Sequence, residues 1–281
     1  MSYLKTRDNI NLYVKDWGHG RPVILLHGWP LSADSWDDVA IDLVNAGFRT
    51  IAYDRRGFGR SEQPWKGYDY NTLADDLADV MDATGVVDAT LIGFSMGGGE
   101  VARYMSRQNG KQVIQTVLIA SIVPYMLKTK DNPQGVESAV FEEMAVNLKK
   151  DRAHFFAGFF QDFYGAGLLF QGVSNELLEW SRAVSTQAGL NATLDCAAAF
   201  ATSDFRADLA SFTVPTLILH GTADKTVPID ATGRAAAKAI PHAQLIEYEG
   251  APHGLFATHK EQLAKDLITF LKGYETRAAA R

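Results

Sequence analysis

Short apolar runs alternate with amphipathic helical patterns along most of this 281-residue chain, and that rhythm leaves few folds open. Val23-Ile24-Leu25-Leu26, between Pro22 and Gly28, reads as a buried strand. A helical pattern over residues 37–45 stops at Gly47, and a second strand follows over 48–53. Residues 70–81 form an amphipathic helix with Leu73, Leu77, Val80 and Met81 inward and Asp75, Asp76 and Asp79 toward water. A strand over 89–94, a helix over 96–107 and a strand over 113–120 complete this part. Such repetition demands parallel pairing, right-handed crossovers and helices on both faces of one sheet. Ahead of it, 3–5 and 11–16 read as an antiparallel ribbon at one edge.

The rhythm breaks after Ser121. Between 123 and 211 there are helical stretches near 136–149, 152–164, 175–187 and 191–201, no convincing strand, and a concentration of aromatics that includes Phe155, Phe156, Phe159, Phe160, Phe163, Phe170 and Phe200. Alternation then resumes, with strands over 216–220 and 244–248, helices over 229–239 and 258–272, and a frayed tail over 277–281. The chain thus reads as an α/β core (1–122 and 212–281) with an all-helical insertion over 123–211. The core is expected to be a mostly parallel sheet flanked by helices.

Composition narrows the partners. Apolar residues make up 47% and charged residues 21%, which suits a packed globular protein and excludes global disorder. The net charge of −6 gives no reason to expect nucleic acid or an anionic membrane. The longest uncharged stretch, 112–127, is interrupted by Gln115, Thr116, Ser121 and Pro124, so no membrane span is expected. Residues 1–8 contain no apolar segment of the kind that opens a secretory signal, and a cytoplasmic location is expected. Cys196 is the single cysteine, so no internal disulfide can form; its Ala-rich helical setting suits a buried, inert thiol.

Gly93-Phe94-Ser95-Met96-Gly97 fits G-x-S-x-G between a strand and a helix, the setting that thrusts a serine hydroxyl above a sheet on a tight, strained turn. Gly98 and Gly99 continue into the helix, where close packing against the sheet would offset their poor helix propensity. A serine hydroxyl needs a base. Of the seven histidines, His253 in Gly250-Ala251-Pro252-His253-Gly254 lies just beyond the last strand, at the same sheet end as Ser95. Asp224, four residues past His220, can orient it, and the order Ser95, Asp224, His253 suits this architecture. Oxyanion donors are expected from the main-chain N–H of Met96 at a helix N-terminus and of Trp29 in His27-Gly28-Trp29-Pro30; Pro30 has no N–H to offer. The Trp29 indole would wall the pocket, with Phe159 and Val227 the further substrate-contacting candidates. His27 and His220 read as organisers of strand-end loops, and Asp54 as a structural partner for an arginine. No residue spacing suggests a metal site, and Glu62 breaks the dinucleotide fingerprint that Gly57-Phe58-Gly59 begins.

With these residues assembled, the sequence resembles the α/β-hydrolases of the cofactor-free haloperoxidase (perhydrolase) and arylesterase group. The likeness rests on Leu26-His27-Gly28-Trp29-Pro30, Tyr53-Asp54-Arg55-Arg56-Gly57-Phe58-Gly59-Arg60-Ser61, the segment from Gly93 to Tyr104, and Glu249-Gly250-Ala251-Pro252-His253-Gly254. It implies a helical cap over an apolar acyl pocket and hydrolysis of short-chain or aryl esters through an acyl-serine, without a cofactor. It also implies that hydrogen peroxide can replace water, giving a peracid that oxidises halide; in this group a proline after the oxyanion tryptophan goes with perhydrolysis. Gly221-Thr222-Ala223-Asp224 departs from the more acidic Gly-Asp-x-Asp of the group and leaves Asp224 without an acidic neighbour.

The expected partners are therefore a small-molecule ester or carboxylic acid plus water or hydrogen peroxide, with no nucleic acid and no membrane; homo-oligomerisation stays open. C–C bond hydrolysis or acyl transfer on the same three residues, and a non-catalytic small-molecule receptor, are the alternatives. A dehalogenase or epoxide hydrolase would need a carboxylate at Ser95. A cis Trp29–Pro30 bond is a further expectation.

Overall fold

The computed structural model describes residues 2–167 and 172–279; Phe170 and residues 280–281 lie outside the described residues. The strands are β1 (Ser2–Lys5), β2 (Asn11–Trp17), β3 (Pro22–Leu26), β4 (Arg49–Tyr53), β5 (Ala89–Phe94), β6 (Val113–Ile119), β7 (Thr216–Gly221) and β8 (Ala243–Tyr248). They form one sheet in the order β1-β2-β4-β3-β5-β6-β7-β8. The β1–β2 and β2–β4 pairs are antiparallel, as the edge ribbon was expected to be, and the remaining pairs are parallel. Every residue of β3, β5 and β7 is buried, which is why these strands read as unbroken apolar runs rather than alternating ones.

Helices α1 (Asp37–Asn45), α2 (Tyr70–Thr84) and α3 (Met96–Arg107) occupy the first crossovers. Asp69 caps α2 by accepting the N–H groups of Asn71 and Thr72, and Gly85 ends it at φ 63°. Between β6 and β7 come α4 (Ser138–Phe163), α5 (Asn175–Gln187) and α6 (Leu190–Thr202), with no strand of the sheet among the described residues there. Helix α4 is interrupted at Asp151 (φ −163°, ψ 89°), where the sequence pattern also divides. The Asp151 carboxylate accepts the His154 N–H at 3.0 Å and so restarts the helix as a cap. Among the described residues, no helix is long and apolar enough to cross a membrane.

Three expectations need correction. Asp76 does not face water: it is buried, and Arg56 reaches across to it with both Nε (2.6 Å) and Nη2 (2.5 Å). A bidentate guanidinium partner supplies what water would otherwise give. Helix α7 (Gly233–Ala239) is shorter than the expected 229–239, because the chain is held in turns up to residue 232, first by the Asp224 side chain on the N–H groups of Thr226 and Val227 and then by Thr232 on Pro228 and Ile229. The last helix divides at His259 into α8 (Leu255–Thr258) and α9 (Lys260–Ala279), and it runs past the expected end at 272 into the stretch read as a frayed tail.

Candidate active site

Ser95 joins β5 to α3 with φ 54° and ψ −117°, a conformation that costs about 1–3 kcal/mol in a non-glycine residue. The turn is tight because its glycines permit close approach. A Cβ on Gly93 would come within 2.5 Å of the Gly97 carbonyl oxygen, and one on Gly97 within 2.4 Å of the Leu26 carbonyl oxygen on β3. Gly98 packs on Ser121 and Leu118, as expected for a helix pressed on its sheet; Gly99 instead meets the rings of Tyr70 and Phe205.

The structure brings the three expected side chains together. His253 Nε2 lies 3.0 Å from Ser95 Oγ, and His253 Nδ1 lies 2.6 Å from Asp224 Oδ2. The imidazole is fully buried between the rings of Phe94 and Phe163, 5.0 and 4.8 Å away between centroids. Asp224 follows β7, and its Oδ1 accepts the N–H groups of Thr226 (2.9 Å) and Val227 (2.8 Å). Burial by itself would push this carboxyl up. The facing imidazoles of His253 and His220 outweigh that and hold it well below the usual carboxylate range.

Of the two candidate oxyanion donors, Met96 follows the serine directly and Trp29 lines the same cavity as Ser95. Met96 opens α3, so its N–H has no carbonyl one turn back within the helix. The Trp29 N–H donates to no main-chain carbonyl among the described residues. The Trp29–Pro30 bond is cis, as is Val123–Pro124. The Trp29 indole N–H donates to the Thr193 carbonyl on α6 at 3.0 Å, and its ring meets Phe155, Phe156, Phe159 and Phe200 edge-on.

A cavity of about 350 Å³ opens beside Ser95. Trp29, Phe159 and Val227 line it, together with Met126, Met144, Phe155 and Phe200, which sequence reasoning did not single out. Helical spacing explains the division of labour on α4: Phe156, Phe160 and Phe163 are buried, whereas Phe155 and Phe159, one turn apart, border the cavity. Glu143, Asp162 and Lys225 add charged groups to its lining.

The loop organisers are in place. His27 Nε2 accepts the Arg55 N–H (3.0 Å), while the Arg55 guanidinium donates to the His27 carbonyl (2.6 Å) and to Glu100 on α3 (2.5 Å). Burial, reinforced by Arg55, holds His27 well below the ordinary histidine range. Burial pushes the Glu100 carboxyl up to about 7 against the pull of Arg55. Asp54 accepts from the Ala33 N–H and from Arg60, the structural role expected of it. Cys196 is buried, and burial pushes its thiol up, away from the reactive thiolate. The sequence did not show that Arg55 and Glu100 would meet, nor that His220 would reach Asp224: its Nε2 lies 3.2 Å from Asp224 Oδ2.

Comparison with known proteins agrees with this architecture. Residues 21–260 match the family model described as the alpha/beta hydrolase fold. The chain is 41% identical to a non-heme chloroperoxidase from Kitasatospora aureofaciens over 96% of this chain and 99% of that protein. It is 40% identical to a bifunctional esterase/perhydrolase from Acinetobacter calcoaceticus over 97% of this chain and all of that one. The crystal structure of a bromoperoxidase from Bacillus anthracis superposes with a TM-score of 0.93 at 41% identity, covering 96% of this chain and 100% of the other. The chain belongs to the α/β-hydrolase family, among relatives named as non-heme haloperoxidases and esterase/perhydrolases.

Proposed function

We propose that the protein is a serine hydrolase that cleaves short-chain or aryl carboxylic esters through an acyl-serine and that also passes the acyl group to hydrogen peroxide. The observation that carries this reading is the contact chain from Ser95 Oγ to His253 Nε2 (3.0 Å) and from His253 Nδ1 to Asp224 (2.6 Å), set beside an apolar cavity. The names of the relatives at about 40% identity, chloroperoxidase and esterase/perhydrolase, support the reaction class.

In this reading Ser95 Oγ attacks the ester carbonyl carbon as His253 Nε2 takes the hydroxyl proton. Asp224 holds the Nδ1–H of the imidazole and stabilises the imidazolium that forms. The N–H groups of Met96 and Trp29 receive the negative oxygen, and the α3 N-terminus adds its dipole. His253 then returns the proton to the departing alkoxide or phenoxide, leaving an acyl-serine. Water attacking that ester bond yields the acid and regenerates Ser95; hydrogen peroxide attacking the same carbonyl yields the peracid and regenerates Ser95. Trp29, Phe159 and Val227 enclose the acyl group, and the size of the cavity favours a small one.

Turnover of p-nitrophenyl acetate, and peracetic acid formation from acetate and peroxide, test the reading together. Wild-type protein is expected to catalyse both and Ser95→Ala neither, with the fold of the variant intact by circular dichroism. Turnover by Ser95→Ala at the wild-type rate contradicts the role of Ser95. Peracid formation no faster than with Ser95→Ala removes the peroxide step.

A further inference from the structure

We propose that His220 is a second imidazole on the acid of the Ser95–His253–Asp224 chain, a positioning residue that holds Asp224 Oδ2 and limits how strongly that carboxylate draws on His253. The proposal rests on the reading of those three residues given above.

His220 sits near the end of β7, four residues before Asp224, and is fully buried. Its Nε2 lies 3.0 Å from the Val227 carbonyl oxygen and 3.2 Å from Asp224 Oδ2. Both neighbours only accept hydrogen bonds when the carboxyl is ionised, so the ring must carry its proton on Nε2. The other nitrogen, Nδ1, is buried without a hydrogen-bond partner. Gly233 at the start of α7 lies against it, since a Cβ there would stand 2.7 Å from Nδ1. The ring is therefore locked in one tautomer, with its N–H on the Val227 carbonyl and its Nε2 beside Asp224 Oδ2.

The surroundings of the Asp224 carboxylate make this N–H consequential. Oδ1 accepts the two main-chain N–H groups of Thr226 and Val227, Oδ2 meets His253 Nδ1 at 2.6 Å, and His220 Nε2 stands 3.2 Å from the same Oδ2. Two imidazoles thus face the charge of Oδ2 in a dry, low-dielectric setting, where the positive end of a nearby N–H dipole counts for most. Removing the His220 donor leaves that charge to His253 alone, which strengthens the hold of the carboxylate on an imidazolium. The base would then keep its proton to higher pH.

Other charges near the pair are accounted for. Glu247 on β8 pairs in register with His220, but its carboxylate is engaged by Arg234 Nε (2.8 Å) and Nη2 (2.6 Å). Arg234 also holds Asp230 at 2.8 Å. Lys225, beside Asp224 in the chain, is exposed. The rings packed on His253, Phe94 and Phe163, carry no charge. Val227 lines the substrate cavity, so the same His220 N–H also ties the cavity wall to the acid.

Two variants and one measurement on the unmodified protein test this. His220→Gln keeps an N–H donor near the position of Nε2; His220→Leu removes it. The rising limb of kcat/KM against pH for p-nitrophenyl acetate is expected to move upward by about half a pH unit or more in His220→Leu. The limb of His220→Gln should stay with the wild type. A limb in His220→Leu that superposes on wild type, or equal shifts in both variants, overturns the proposal, because a merely structural histidine would lower the rate without moving the profile. Should His220→Leu fail to fold, long-range proton–nitrogen correlation spectra of histidine-labelled wild-type protein decide instead. They should show His220 as the Nε2–H tautomer, and an Nδ1–H tautomer refutes the contact. Failure of the parent reading would be visible separately, as wild-type turnover by Ser95→Ala.

Discussion

The Trp29 indole donates its N–H to the Thr193 carbonyl across 3.0 Å, joining the loop after β3 to α6 of the segment between β6 and β7. One residue thereby gives a ring to the cavity beside Ser95 and a hydrogen bond to α6, and in the proposed mechanism its main-chain N–H also meets the oxyanion. Trp29→Phe separates these roles. The main-chain donor survives, while the Thr193 carbonyl within α6 loses its second donor, at a cost of about 0.5–1.5 kcal/mol in stability. For short esters KM should rise more than kcat falls. A fall in kcat of about a hundredfold at unchanged KM, the mark of a lost oxyanion donor, would place the role on the indole instead.

Phe159 meets Trp29 edge-on with 5.3 Å between ring centroids and borders the cavity. Phe159→Ala should deepen the cavity and shift preference along a series of p-nitrophenyl esters from acetate toward longer acyl chains. Each additional methylene that becomes buried is worth about 0.8 kcal/mol, or about fourfold in kcat/KM. An unchanged order of preference would mean that the acyl group lies elsewhere.

Asp224 sets an acid limit on stability. Its carboxyl is held below the ordinary range in the folded chain, so the unfolded chain binds the proton first as pH falls. Its contribution is present in full above the unfolded value of about 4 and is lost as pH drops toward the folded one. Urea unfolding of wild type and Asp224→Asn should therefore differ most near neutrality and converge below about pH 4. A gap that does not change across that range contradicts the assignment.

The buried Arg55–Glu100 pair links the loop that carries Trp29 to the helix that begins with Met96. At pH 8 Glu100, pushed up to about 7, is ionised. Glu100→Leu then strands the Arg55 guanidinium in the core, a loss of about 3–5 kcal/mol. The double variant Arg55→Met with Glu100→Leu should recover much of that, and strict additivity of the two single changes would show that the pair is not coupled.

Much of this was legible in the sequence, for physical reasons that differ by element. Short apolar runs and period-3.6 patterns located the eight strands and the α4 break, because burial on both faces of a parallel sheet leaves apolar runs too short for helices. Ser95 could be found because its turn needs small residues at fixed offsets. Asp224 and His253 could be found because loops after parallel strands gather at one sheet end. Partnerships across elements were not legible. Asp76 lies within an acidic patch, and nothing local announces that Arg56 will reach it. His220 and Glu100 look like unremarkable polar residues until their neighbours are placed. The cavity lining from Met126, Met144 and Phe200 depends on how α4 and α6 sit over the sheet, which periodicity does not encode.

Covalent capture of the acyl group tests the central claim most directly. Mixing the protein with p-nitrophenyl acetate, quenching in acid within the first turnovers and mapping the peptides by mass spectrometry should reveal one acetyl group on Ser95. That adduct should disappear when hydrogen peroxide is added before the quench and be absent from Ser95→Ala. Rapid ester turnover with the acetyl group on another residue, or with no acetyl group on Ser95 at any time within the first turnovers, would contradict the account.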